Sequence, residues 1–129
     1  MTAAFGESAP GGGRRVLVIE DEVLIGMLLE DMLTDLGYEI AGTASRLDEA
    51  TGLARTAQCD LAILDVNLNG HESYPVAQIL IERGIPFMFA TGYGERGMPA
   101  AFQNRPTLQK PFQLDALQLQ LRNLEAAAT

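Results

Sequence analysis

Five polar residues stand out because each closes a short strand-like run. Glu20 and Asp21 follow Val16-Leu17-Val18-Ile19, and Asp65 follows Leu61-Ala62-Ile63-Leu64. Thr91 follows Pro86-Phe87-Met88-Phe89-Ala90, and Lys110 follows Thr107-Leu108-Gln109. Brought together, they combine three carboxylates with a hydroxyl and an ammonium. Three carboxylates repel one another, and a bound Mg2+, which prefers oxygen ligands and keeps waters, relieves that repulsion. The hydroxyl and the ammonium suit the oxygens of a phosphoryl group, whose charge the metal and Lys110 would neutralise during transfer to Asp65 as nucleophile.

These residues can meet only if the runs are parallel strands of one sheet. Leu61 to Leu64 is too short and apolar for anything but a central strand covered on both faces. In open α/β sheets ligands bind at the carboxyl ends of the strands, where Asp65 would lie. Between the first two strands, Leu24, Leu28, Met32 and Ile25, Leu29, Leu33, Leu36 recur at helical spacing, with Glu30, Asp31 and Asp35 on the other side and Gly37 as the stop. Tyr38 to Ala44 reads as a strand nearer the sheet edge. Ser45, with Asp48 and Glu49 in the following turn, reads as the capped start of a helix to about Gln58. Asn67 to Glu72 reads as a loop, Ser73 and Pro75 open a helix that Gly84 ends, and Leu114, Leu117, Leu121 and Leu124 form one stripe of a last helix. Gly94, Gly97 and Pro99 make any helix between Tyr93 and Asn104 short or weak. Five strands alternating with helices predict a parallel sheet with helices on both faces.

The totals agree with one domain. A chain of 129 residues, 47% hydrophobic and 20% charged, can bury roughly two-thirds of its unfolded surface in a single core. We expect a tail over 1–13, ending in Gly11-Gly12-Gly13, a domain over 14–125 and a short tail over 126–129, with no room for a second domain. A net charge of −8 disfavours direct binding to nucleic acid or to an anionic membrane. No run approaches the ~20 apolar residues of a membrane span, and Arg14-Arg15 leads into a strand rather than a secretory signal. Cys59, alone, reads as a small buried thiol and is consistent with a reducing compartment. The expected location is cytoplasmic.

The acidic pair Glu20-Asp21, Leu64-Asp65, Thr91-Gly92 and Lys110-Pro111-Phe112, in this order, resemble the receiver domain of two-component response regulators over about Arg15 to Leu124. The resemblance implies the flavodoxin-like receiver fold with strand order 2-1-3-4-5. It implies that Asp65 takes a phosphoryl group from the phosphohistidine of a histidine kinase or phosphotransfer protein and signals through a downstream protein partner. It further implies Mg2+ held by Asp21, Asp65 and the backbone carbonyl of Asn67, with Glu20 holding metal-bound water, Thr91 and Lys110 on phosphoryl oxygens, and a cis Lys110-Pro111 bond. The stretch Phe89-Ala90-Thr91-Gly92-Tyr93 looks like a narrower group named for a Phe-Ala-Thr-Gly motif and typically lacking an output domain. Two departures stand out. Thr107 occupies the place of the usual aromatic switch, leaving Tyr93 as the substitute partner of Thr91, and Val66-Asn67-Leu68-Asn69-Gly70 replaces the common Met-Pro loop.

Each residue also has a plainer reading. Asp21 is suited to cap the helix it precedes, Glu20 to end a strand in solvent, and Lys110 to be a surface charge. Gly92-Tyr93-Gly94-Glu95-Arg96-Gly97 spells a dinucleotide fingerprint, but it does not open the first βαβ unit. His71 stands alone in a loop, without the companions that zinc needs. A small phosphohydrolase of the haloacid-dehalogenase type would want a second acid where Asn67 stands. A pseudo-receiver that binds partners without phosphorylation is the third reading.

Overall fold

The computed structural model describes residues 12–92, 102, 105–110 and 112–128. Along them run β1 (Arg15–Ile19), α1 (Val23–Asp35), β2 (Glu39–Ala44), α2 (Leu47–Thr56) and β3 (Leu61–Asp65). There follow β4 (Asn67–Leu68), β5 (His71–Glu72), α3 (Tyr74–Arg83), β6 (Phe87–Thr91), β7 (Thr107–Gln109) and α4 (Leu114–Ala128). Five of the strands form one parallel sheet ordered β2-β1-β3-β6-β7, which is the order 2-1-3-4-5 when only those five are numbered.

Side chains alternate across a strand, so each central strand feeds two cores. Leu17, Ile19, Ala62, Leu64, Phe87 and Phe89 pack with Ala50 and Ala54 of α2 and with Val76, Ala77 and Leu80 of α3. Val16, Val18, Leu61, Ile63, Met88 and Leu108 point the other way, onto Leu29 and Leu33 of α1 and Leu117, Leu121 and Leu124 of α4. All five residues of β3 and of β6 are buried, which is why those runs carry no alternation of polar residues. Cys59, just before β3, is half-buried rather than buried, packing against the edge of the first core.

Helix ends follow local chemistry. After α1, Gly37 takes φ 90°, with its N–H on the Thr34 carbonyl and that of Tyr38 on the Leu33 carbonyl, a pairing that ends a helix where a residue without Cβ accepts the left-handed turn. Four further expectations need correction. Asp21 is not a helix cap: Glu22 holds the cap position of α1 without a side-chain bond, and Asp21 is drawn to Asn69 instead. Ser45 does not cap α2 either; Arg46 sits at its cap, the helix ends at Thr56, and Glu49 reaches back to the Ser45 N–H at 3.4 Å. Residues 67–72 are not an irregular loop but a β4–β5 hairpin, closed by Asn69 at φ 54° and Gly70 at φ 88°. Positive φ at both central residues matches the right-handed twist of a two-residue hairpin, and Asn-Gly is the pair that adopts it most readily. Finally, the two apolar stripes of α1 part company. Gly26, Leu29 and Leu33 are buried, whereas Leu24 is 79% exposed, with Val23, Met27 and Leu28 exposed beside it. The helix carries more apolar residues than one packed face can cover.

The last helix continues to Ala128. Tyr38, at the approach to β2, donates its hydroxyl to Glu125 of that helix, and Arg14 pairs with the same carboxylate at 3.5 Å. Among the described residues, no helix is long and apolar enough to cross a membrane.

Candidate functional site

Parallel register brings the strand ends to one edge. Ile19 lies beside Leu64, Asp65 beside Ala90, and Thr91 beside Gln109. The residues that end or follow these strands, Glu20, Asp65, Thr91 and Lys110, therefore come together although 90 positions separate Glu20 from Lys110. Glu20, Asp65 and Thr91 are each buried, and Lys110 is placed by its own backbone, its N–H donating to the Thr91 carbonyl at 3.0 Å.

Lys110 Nζ lies 2.9 Å from Asp65 Oδ2 and 2.9 Å from Glu20 Oε1, and it donates to Glu20 Oε2 at 3.1 Å. Asp65 Oδ1 accepts the N–H of Asn67 at 3.2 Å, and Glu20 Oε2 accepts that of Glu22 at 3.1 Å. Asp21 Oδ2 accepts the N–H of Asn69 at 3.0 Å, so the hairpin holds the most exposed of the three carboxylates. Gly70 in turn donates to Asn67 Oδ1 at 2.8 Å, which turns that side chain into the hairpin.

Electrostatics make the site hungry for positive charge. Burial, then hydrogen bonding to Asp65, pushes Glu20 from 4.5 up to about 8. Burial also raises Asp65, against the pull of its hydrogen bonds with Glu20 and Lys110. Burial of Asp21 would raise it too, but the Asn69 N–H and the neighbouring carboxyls outweigh that and hold it low. Burial disfavours the charged Lys110, yet its bonds to Glu20 and Asp65 win and raise it. One ammonium thus serves three acids.

Ligand oxygens of Glu20, Asp21 and Asp65 lie within 4.8 Å of one another. An all-oxygen set of three clustered carboxylates fits a hard divalent cation of the Mg2+ class rather than zinc. The sequence-expected residues Glu20, Asp21, Asp65, Thr91 and Lys110 are therefore brought together, and Asn67 adjoins them. Tyr93 and Pro111 lie outside the described residues, as does the rest of the Gly-x-Gly-x-x-Gly stretch after Gly92. Thr107 donates its hydroxyl to the Arg105 carbonyl at 3.3 Å, on β7 away from the carboxylates. His71 is exposed and belongs to no carboxylate or thiol cluster among the described residues. Sequence reasoning missed Asn69, although the Asn-Gly pair flanked by two residues on each side was the signal for the turn that presents its N–H to Asp21.

Known proteins share this arrangement of elements. Residues 16–122 match a family described as the response regulator receiver domain. The transcriptional regulatory protein PdtaR of Mycobacterium tuberculosis is 36% identical over 121 residues, covering 91% of this chain and 59% of that protein. The chain thus spans about three-fifths of that relative's length. The solution structure of SdrG from Sphingomonas melonis Fr1 superimposes with a TM-score of 0.75 at 41% identity, covering 90% of this chain and 96% of that one. Its BeF3-activated conformation gives 0.72 at 41% identity, covering 89% and 96%. The receiver domain of PhyR from Erythrobacter litoralis gives 0.77 at 32% identity, covering 88% and 91%.

Proposed function

This chain belongs to the response regulator receiver domain family, a family of signalling domains in two-component systems, and from that we propose that Asp65 accepts a phosphoryl group from the phosphohistidine of a histidine kinase or phosphotransfer protein. The observation that carries the proposal is the Lys110 ammonium 2.9 Å from a buried Asp65 carboxylate that shares ligand-distance oxygens with Glu20 and Asp21. A relative at 41% identity has a BeF3-activated conformation, and beryllofluoride is a tetrahedral mimic of a phosphoryl group, which supports the same reading.

In the proposed reaction an Asp65 carboxylate oxygen forms the new O–P bond as the N–P bond of the donor breaks, the electron pair returning to the imidazole. Lys110 would hold its charge beside the developing phosphoryl oxygens, and Thr91, whose carbonyl accepts the Lys110 N–H at the end of β6, would donate its hydroxyl to another. Asp21, Asp65 and the Asn67 carbonyl would hold Mg2+, and Glu20 would hold a water bound to it. When bound, the cation supplies charge neutralisation for the phosphoryl oxygens. The protein contributes position and electrostatics, with no turnover of a separate substrate. A phosphohydrolase reading loses its acid/base group, because Asn67 is an amide turned into the hairpin.

Thr91, with Tyr93, is the proposed switch, and the Phe89-Ala90-Thr91-Gly92-Tyr93 stretch supports membership of the narrower motif group. Output through a protein partner agrees with the net charge of −8, which opposes direct contact with nucleic acid. A cytoplasmic location follows from the donor, since phosphohistidine is charged from intracellular ATP.

Intact mass after incubation with Mg2+ and acetyl phosphate tests the proposal. We expect one labile phosphoryl adduct that needs Mg2+ and is absent from Asp65→Asn. An adduct that survives in Asp65→Asn, or none with either acetyl phosphate or a phosphorylated kinase, would overturn it.

A further inference from the structure

Gly92 follows Thr91 at the point where β6 stops, and one side chain holds it. The pairing of β6 with β7 closes on a backbone bond, the Lys110 N–H donating to the Thr91 carbonyl at 3.0 Å. Gln109 carries that pairing one residue further, its Nε2 donating to the Gly92 carbonyl at 3.2 Å. Among the described residues no other hydrogen bond reaches Gly92, and a Cβ placed there would meet nothing within 4 Å. Sterics leave this glycine free, so the Gln109 amide is what restrains it.

The support behind that amide is firm. Leu108, in the middle of β7, is buried in the core beneath α4, and the Thr107 carbonyl accepts Nε2 of Gln120 on that helix at 3.3 Å. Gln109 itself is exposed.

Sheet order sets the direction of the effect. β6 lies between β3 and β7, with Ala90 beside Asp65 on one side and Thr91 beside Gln109 on the other. Under the proposed function, a phosphoryl group on Asp65 draws the Thr91 hydroxyl toward β3. Gly92, joined to Thr91, is drawn the same way and leaves Gln109 behind. The Gln109 bond already stands at 3.2 Å, the long end of the ordinary range of roughly 2.7–3.2 Å, so a small displacement opens it. A contact made in one state and lost in the other biases the equilibrium toward the first.

We propose that Gln109 is a catch on the switch: its amide holds Gly92 while Asp65 is bare and lets go when Thr91 is recruited to a phosphoryl oxygen. The catch opposes the phosphorylated state, and it rests on the reading of Asp65 as phosphoacceptor. Gly92 stands between Thr91 and Tyr93 in the sequence, so the bond sits at the pivot of the two proposed switch residues.

Beryllofluoride with Mg2+, standing in for the phosphoryl group, tests this on the full chain. Gln109→Met keeps an unbranched side chain of similar length without a donor, and Gln109→Asn keeps an amide that is one methylene short of the Gly92 carbonyl. Both variants should bind beryllofluoride about fivefold more tightly than the wild type, since one net hydrogen bond no longer opposes it. Mg2+ affinity measured without beryllofluoride should stay unchanged, because the Gln109 amide is spent on Gly92 and not on the carboxylates. Position 109 is exposed, so the melting temperatures should match. The carbonyl 13C resonance of Gly92 reads the catch directly. In the wild type beryllofluoride should move it upfield, as happens when a carbonyl loses a hydrogen bond, and in Gln109→Met it should lie upfield from the start. Affinity equal to or weaker than the wild type, a Gly92 resonance that Gln109→Met leaves in place, or a parallel change in Mg2+ affinity would each overturn the proposal. Beryllofluoride that fails to bind the wild type would overturn the phosphoacceptor reading as well, whereas binding to the wild type with indifferent variants overturns the catch alone.

Discussion

The backbone N–H of Asn69 donates to Asp21 Oδ2 at 3.0 Å across 48 positions of sequence. A two-residue turn therefore orients one carboxylate of the candidate metal centre, and Asn69 must hold φ 54° to do so. Left-handed backbone costs an ordinary residue roughly 1–2 kcal/mol. Asn69→Ala should therefore be less stable than Asn69→Gly by about 1 kcal/mol in urea unfolding. Both substitutions lose the Asn69 Nδ2 bond to the Ser45 carbonyl, so their difference isolates the backbone. Equal stabilities would show that the turn relaxes.

Mg2+ should stabilise the folded chain. At a free concentration about 100 times its dissociation constant, binding to the native state alone adds about 2.7 kcal/mol, visible as a rise in melting temperature. Asp21→Ala should remove most of that rise, because it deletes one of the three clustered carboxylates. A full rise in Asp21→Ala would place the cation elsewhere.

Without divalent cation, stability should fall as pH rises. Glu20 titrates at about 8 in the folded protein against 4.5 for the free group, mainly through burial. Between those values the folded protein keeps a proton that the unfolded chain releases, so Glu20 opposes folding progressively more up to about pH 8 and by a constant amount above it. Thermal melts in EDTA from about pH 6 to about pH 8.5 should show the decline, and Glu20→Gln should flatten it. Mg2+ should bind more tightly over the same interval, since proton and cation compete for one set of oxygens. A decline that persists unchanged in Glu20→Gln would assign it to another group.

Two leucines of α1 should behave oppositely. Leu33 is fully buried against β1 and β3, and Leu33→Ala should cost about 2–5 kcal/mol. Leu24, 79% exposed, should tolerate Ala within about 0.5 kcal/mol. Denaturant midpoints of the two variants decide this, and a large loss at Leu24 would mean that the helix is turned.

Strand identity is legible in the residues themselves. Buried parallel strands are continuous apolar runs, and each ends where a polar residue first becomes tolerable, so Ile19 before Glu20 and Leu64 before Asp65 mark both the sheet and its functional edge. The Asn69-Gly70 pair signals a turn, but the strands it joins are only two residues long and carry no periodicity, so the hairpin around it is hidden from pattern reading.

What the sequence determined by itself was the set of strand ends and the chemistry attached to them, because that information is local: an apolar run, a carboxylate, a glycine stop. Which atoms meet was decided only in three dimensions. Lys110 bridges Asp65 and Glu20 because four parallel strands share one register, Asn69 reaches Asp21 because a hairpin folds back over the edge, and Leu29 rather than Leu24 enters the core because the sheet covers only one face of α1. Each outcome depends on contacts between segments tens of residues apart, and no local pattern of residue types specifies them.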